Sequence, residues 1–180
     1  MAMRAKDKYP QILSVDLTAT AADITTILQI PLPVARVPGT RKVTVFEILK
    51  IQFTQANSNA LPIAANTSMY MSLSTVRDPN GGVASTNAQI LANIRDPRTF
   101  AHHWLIVELI TSGAIAVHQP YELNFEDSNG RGILVATDSI FLTNMSIALT
   151  VVNNVFAKIF YRFVDVNPIE FIGIVQSQQG

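Results

Sequence analysis

The chain is 180 residues long, with no cysteine, thirteen basic and thirteen acidic side chains, and a formal net charge of zero. Disulfides and thiolate metal sites are thereby excluded, and electrostatic self-repulsion will not hold copies apart. Charged residues make up only 14% of the chain and apolar ones 48%, against roughly 25% charged in an average soluble protein, so a subunit that hides its surface against neighbours fits better than a lone monomer.

Met1–Tyr9 is polar and carries Arg4, Lys6 and Lys8. It reads as a short basic flexible tail (1–9) before a single domain (10–180), and no apolar run follows it as in a secretory leader. Gln11–Leu17 alternates apolar and polar residues and predicts a strand. Ile24–Ile30 is a strand or one helical turn, broken by Pro31, Pro33 and Pro38-Gly39; alternating prolines suit an edge strand or an extended crossing segment. Val43–Phe53 is a long core strand with Val43, Val45, Ile51 and Phe53 on one parity, and Glu47-Ile48-Leu49 breaks that parity, which predicts a bulge.

A polar loop over Ala56–Thr67 leads to a strand at Ser68–Val76 and a turn at Asp78-Pro-Asn-Gly-Gly82. Ser85–Ile94 predicts a short helix, with Ser85 or Thr86 as N-cap, Ile90, Leu91 and Ile94 on one face, and Asp96-Pro97 as the stop. Trp104–Leu109 follows as a strand, and Phe125–Gly132 as a tight connection. Gly132–Leu142, Met145–Val152, Lys158–Val164 and Ile169–Val175 are the last four strands, punctuated by Asn144, Asn153-Asn154 and Asn167-Pro168. The longest apolar runs, such as Trp104–Val107 and Ile133–Ala136, fall far short of the roughly 18 residues that cross a bilayer.

Short strands with Gly, Pro and Asn between them predict an all-β fold: an antiparallel two-sheet sandwich of jelly-roll type, with about eight strands and one or two short helices. Strand order does not follow from periodicity, so other sandwich topologies stay open at this point.

Catalytic chemistry finds little support. His102 and His103 are adjacent on a strand and point to opposite faces, so they cannot chelate one ion together, and His118 has no carboxylate at useful spacing. Most carboxylates sit at turns. Glu108 interrupts an apolar strand and reads as outward-facing or paired across a subunit contact. Nucleophile elbows, phosphate loops and dinucleotide fingerprints are missing, so the expectation is a non-enzyme without cofactor or metal. Two small basic clusters, Arg4, Lys6 and Lys8, and Arg36, Arg41 and Lys42, are candidate phosphate contacts that would not read sequence.

Lys158-Ile-Phe-Tyr-Arg-Phe-Val-Asp-Val166, then Ile169-Glu-Phe-Ile-Gly-Ile-Val-Gln-Ser-Gln178, resembles the terminal strands of coat proteins of small icosahedral viruses. The nearest match in style is the single-jelly-roll capsid proteins of small circular single-stranded DNA viruses. The resemblance implies a structural coat protein of the virion that self-assembles into an icosahedral shell around its genome, with non-specific contact to packaged DNA. Coat proteins of that group often begin with a long arginine-rich arm, and Met1–Tyr9 is short beside it; the genome would then be held by other means, or inside a membrane. The alternative is a non-enzymatic binding sandwich, lectin-like or of the trimeric receptor-ligand kind.

Overall fold

The computed structural model describes residues 4–5, 9–32, 35–36, 42–56, 67–78, 82–107, 120–149 and 152–179. Lys6, Lys8, Arg41, Glu108 and His118 lie outside the described residues, as do most of the Pro33–Gly39 break, nearly all of the Ala56–Thr67 loop and the centre of the Asp78–Gly82 turn.

One sheet is built on two long antiparallel strands, β5 (Val43–Ala56) and β11 (Asn154–Val166). On its other side β11 carries β2 (Gln11–Thr18) and the two-residue β1 (Arg4–Ala5). β5 likewise carries β4 (Ala35–Arg36), β9 (Ile133–Val135) and β8 (Tyr121–Asn124) in succession. The second sheet runs β3 (Thr26–Pro31), β10 (Ser139–Ile147), β6 (Thr67–Ser74), β7 (Thr99–Val107). The order β2-β11-β5-β8 facing β3-β10-β6-β7 is that of a jelly roll, in which the chain passes repeatedly from one sheet to the other. The expected fold class is the one observed. Pro31 ends β3, an edge strand, as its missing N–H requires.

Between the sheets lie Phe46, Ile48, Ile51, Phe53, Met71, Leu73, Ile140, Leu142, Val155 and Ile159. Each such side chain, taken fully out of water, contributes roughly 1.5–3 kcal/mol before entropic costs. Two satellite clusters flank this core. Helix α1 (Asn87–Arg95) packs Ile90 on Tyr70 and Met145, outside the second sheet. Helix α2 (Pro168–Gln179) lays Phe171, Ile174 and Val175 on Val43, Val45, Val164 and Val166, outside the first. α1 begins where expected: Thr86 caps the Gln89 N–H, and the Gln89 side chain returns to the Thr86 N–H.

The bulge predicted at Glu47-Ile48-Leu49 is present. Lys50 lies opposite Phe160 and Ile48 opposite Tyr161, so Leu49 has no partner on β11. Its carbonyl instead accepts the Phe125 N–H at 2.9 Å. The bulge overturns part of the parity reading: Val43 and Val45 lie under α2, while Ile51 and Phe53 fill the inter-sheet core. One extra residue reverses the facing of all that follows.

Other expectations need correction. Ile169–Val175 is helical, not a strand. Asn167 accepts the Glu170 N–H at 2.8 Å, the Glu170 side chain accepts the Asn167 N–H at 3.1 Å, and Pro168 takes the first helical position, where its missing N–H costs nothing. Gly132–Leu142 is two strands on different sheets, parted at Thr137–Asp138, where the Leu32 N–H donates to the Asp138 carbonyl. Asn144 does not punctuate: it is buried inside β10 and exchanges side-chain amide hydrogen bonds with Asn153 at 3.1 and 3.3 Å. β10 ends instead near Ala148, whose φ of 59° is left-handed. Within the segment expected as a tail, Arg4 and Ala5 pair opposite Asp165 and Val164.

Candidate assembly surface

The outer face of the first sheet follows from the period of two. Alternate residues of β2, β11, β5 and β8 point away from the second sheet and fall into rows. Ile12, Phe160, Lys50 and Asn124 form one row; Ser14, Lys158, Gln52 and Glu122 the next; Asp16, Phe156 and Thr54 the third. Ile12 is 58% exposed and Phe156 39%; Phe160 lies beside Ile12 in the first row, and the row of Lys158 separates both from Phe156. Single exposed apolar residues are ordinary; here three stand on one sheet face, in a chain poor in charge.

Charges frame this cluster. Lys50 pairs with Glu122 at 2.7 Å, and Gln52 Nε2 donates to the same carboxylate at 2.8 Å. The hydrogen bond from Lys50, then that from Gln52, holds the Glu122 carboxyl below its ordinary range. Lys50 Nζ also sits 5.3 Å from the centre of the Phe160 ring, within cation–π reach. Asp16 and Lys158, one anion and one cation beside Phe156, make no hydrogen bond or ion pair among the described residues. The far end of the sheet is covered by α2, which turns Ile169 (83% exposed) and Ile172 outward and extends the apolar surface.

The rim of the face is fixed by a pair that sequence reading missed. Glu47 was legible only as a break in parity. In the structure its carboxylate accepts from Arg162 Nε at 2.5 Å and from the Gly132 N–H at 2.9 Å. Arg162 also donates through Nη2 to the Gly130 carbonyl at 2.6 Å. Together they tether the β8–β9 turn, which closes on itself through Asp127: its side chain accepts from the Asn129 and Arg131 N–H groups. The tight connection expected over Phe125–Gly132 is present, with the Gly130 N–H donating to the Asp127 carbonyl at 2.9 Å, but Asn129-Gly-Arg-Gly132 does not join a hairpin: β8 and β9 both run antiparallel to β5. An acid in an apolar strand, with an arginine in an adjacent apolar strand, was the available signal.

Of the candidate phosphate contacts, Arg4, Arg36 and Lys42 lie among the described residues. Arg4 lies opposite Asp165, which faces Thr44; Arg36 lies opposite Val43, and Lys42 precedes it. The strands that carry Arg4 and Arg36, β1 and β4, are separated by β11 and β5. His102 and His103 point to opposite sides of β7. His102 stacks on Tyr70, centres 6.2 Å apart, and His103 on Tyr121 at 4.2 Å. Among the described residues no helix is long and apolar enough to cross a membrane.

Fold and surface together define a jelly-roll domain whose β2-β11-β5-β8 face, mixed polar and apolar, carries no second layer among the described residues beyond α2 at one end. No known protein family and no curated protein matches the sequence. Among solved structures the chain is similar to VP1 of Trichodysplasia spinulosa-associated polyomavirus, seen with a GM1 oligosaccharide (TM-score 0.57, 9% identity, over 93% of this chain and 97% of that one). It is similar as well to the unassembled pentamer of Merkel cell polyomavirus VP1 (0.57, 9%, over 93% and 99%). A third neighbour is human polyomavirus 12 VP1 with 3′-sialyllactosamine (0.52, 13%, over 87% and 100%). At such identities the likeness is one of fold.

Proposed function

We propose that this chain is a viral coat subunit, part of the virion, that assembles with copies of itself into a closed icosahedral shell around the genome. The observation that carries the reading is the uncovered face of β2-β11-β5-β8, where Ile12, Phe160 and Phe156 sit among charges of both signs. Among the described residues Asp16 and Lys158 are unpaired, and an isologous contact that lays one copy's Asp16 on the other's Lys158 satisfies both pairs at once. The fold supports the same reading: its solved neighbours are polyomavirus VP1 capsid proteins, one of them described as an unassembled pentamer. So does the likeness of Lys158–Val166 to coat proteins of circular single-stranded DNA viruses, while the second half of that likeness lies in α2.

Burial of apolar surface on association contributes roughly 25 cal/mol per Å² before entropic costs, and a standard contact of about 1,600 Å² needs no strong ion pairs. Arg4, Lys6, Lys8, Arg36, Arg41 and Lys42 would meet packaged DNA through its phosphates, without reading sequence.

Size-exclusion chromatography and electron microscopy of purified protein test the reading. Closed particles are expected for the natural sequence, and smaller, folded species for Ile12→Asp and Phe156→Asp. Protein that stays monomeric at high concentration across pH and salt would overturn it and favour the binding-module alternative.

A further inference from the structure

Helix α1 turns an asparagine, not an aliphatic residue, toward the second sheet one turn after Ile90. Asn93 Oδ1 accepts from Tyr70 Oη at 2.7 Å, Ser72 Oγ at 3.2 Å and Thr99 Oγ1 at 3.1 Å. Those three donors fix the orientation of the amide, and its Nδ2 donates to Asp78 Oδ2 at 2.9 Å. Burial pushes the Tyr70 hydroxyl above its ordinary range, so it remains a donor. A polar hub of this kind stabilises less than a packed leucine would unless it specifies something.

Beside the hub lies a half-open cavity of about 190 Å³, walled by the Gln89–Asn93 side of α1, by Ser74–Asp78 after β6 and by Asp96–Thr99 before β7. Drug-sized ligands occupy roughly 300–1,000 Å³, so this cavity fits a molecule of about one ring. Its walls are rich in uncommitted donors. Arg77 makes no hydrogen bond or ion pair among the described residues. Arg98 spends Nε and one Nη nitrogen on Asp96, at 2.9 and 2.8 Å, and its other Nη has no partner among the described residues. Gln89 spends its Oε1 on the Thr86 cap, and its Nε2 likewise has no partner among the described residues. The acceptors are all in use: both oxygens of the Asp96 carboxylate accept from Arg98, one oxygen of the Asp78 carboxylate accepts from Asn93, and the Thr99 hydroxyl donates to Asn93 but keeps its lone pairs.

We infer that the cavity between α1 and the β6–β7 end is a binding site for a small hydroxylated carboxylic acid of single-ring size. Its carboxylate sits against the Arg77 guanidinium and Gln89 Nε2, and its hydroxyls donate to Asp96 and Thr99. An arginine fork matches a carboxylate in two parallel hydrogen bonds, which a neutral ligand cannot reproduce. The site lies outside the second sheet, away from the uncovered face of the first, so it does not depend on the coat-protein reading.

Saturation-transfer difference NMR tests it, since that measurement tolerates assembled particles. The probes are glucuronate, glucose (the same ring size without the acid) and acetate (the acid without the ring). Glucuronate is expected to bind most tightly of the three. Arg77→Ala should weaken it about tenfold or more, the scale of one charge-assisted pair, and Arg77→Lys less. Gln89→Glu retains the cap acceptor but removes the donor, and should also weaken glucuronate with circular dichroism unchanged. Arg131→Ala, at an exposed arginine of the β8–β9 turn, should leave binding intact. Equal affinity for glucuronate and either other probe, or undiminished binding by Arg77→Ala, would overturn the proposal.

Discussion

Glu47 and Arg162 face each other directly across β5 and β11, with Nε 2.5 Å from a carboxylate that is only 3% exposed. Removing one partner leaves the other charge uncompensated, and breaking a buried pair in this way costs about 3–5 kcal/mol. Arg162→Leu, which strands the buried Glu47 carboxylate, should therefore lower unfolding free energy by about that amount in urea titrations, and Glu47→Leu, which leaves a partly exposed guanidinium still bonded to the Gly130 carbonyl, by less. Glu47→Leu combined with Arg162→Leu should recover a good part of it, because no orphan charge remains. If the double variant is as unstable as the sum of the singles, the pair is not the source of the loss.

His103 predicts a pH effect of definite sign. Burial between the sheets, and secondarily the neighbouring His102, lower its pKa below the ordinary 6.5. Below about pH 6.5 the unfolded chain binds the proton more readily than the folded one, so folding stability falls with pH and rises again toward neutrality. Melting temperatures should drop between pH 7 and pH 5 for the natural chain, and drop less for His103→Phe, which keeps a ring to stack on Tyr121. Parallel curves for the two proteins would exclude His103 as the source.

Gly132 and Gly130 should behave differently on conversion to alanine. A Cβ at Gly132 would lie 1.9 Å from the Ile48 carbonyl oxygen, where β9 joins β5 beside the bulge. Backbone must move there, and Gly132→Ala should cost about 3 kcal/mol or more. Gly130 has open space around its Cβ position and only a φ of +68° to object, so Gly130→Ala should cost about 1 kcal/mol. Denaturant titration of both variants gives the comparison directly.

Gln178 at the end of α2 acts as a short substitute strand for β9. Its Oε1 accepts the Ala136 N–H at 3.0 Å and its Nε2 donates to the Leu134 carbonyl at 2.5 Å. Gln178→Ala should destabilise by about 2 kcal/mol, from two lost hydrogen bonds at a partly buried edge. Amide exchange at Ala136 should quicken well beyond that at Val135, whose strand pairs with β5.

What the sequence disclosed, and what it hid, follows the range of the interactions involved. Alternation and punctuation act over a few residues, so most of the strands, the jelly-roll class, a cap at Ser85 or Thr86 and the bulge at Glu47-Ile48-Leu49 were legible, while β8 was missed and β9 and β10 were divided in the wrong place. α2 was hidden because Ile169–Val175 reads as an apolar run, although its Asn167-Pro-Ile-Glu170 start carried a capping signal that was read as punctuation. Asn144 misled for the opposite reason: its turn propensity was overridden by Asn153, nine residues away across the fold. The row of Ile12 and Phe160 depends on register between distant strands, which no local pattern contains.

Leu49 works as a phase shifter. Before it, odd-numbered positions of β5 face α2; after it, odd-numbered positions face the opposite sheet. The strand therefore serves two hydrophobic layers on opposite sides, and its sequence is in frame with both only because one residue is left out of the count. Deleting Leu49 would make Ile48 and Lys50 consecutive on the ladder and so keep both halves of β5 facing as they do, with only the Leu49 side chain lost, whereas drawing Leu49 into the ladder as a paired residue would deliver either Val43 and Val45 or Ile51 and Phe53 to the wrong layer. A one-residue change of length is therefore tolerable at Leu49 and not at the paired positions, where it reverses the facing of the neighbouring residues.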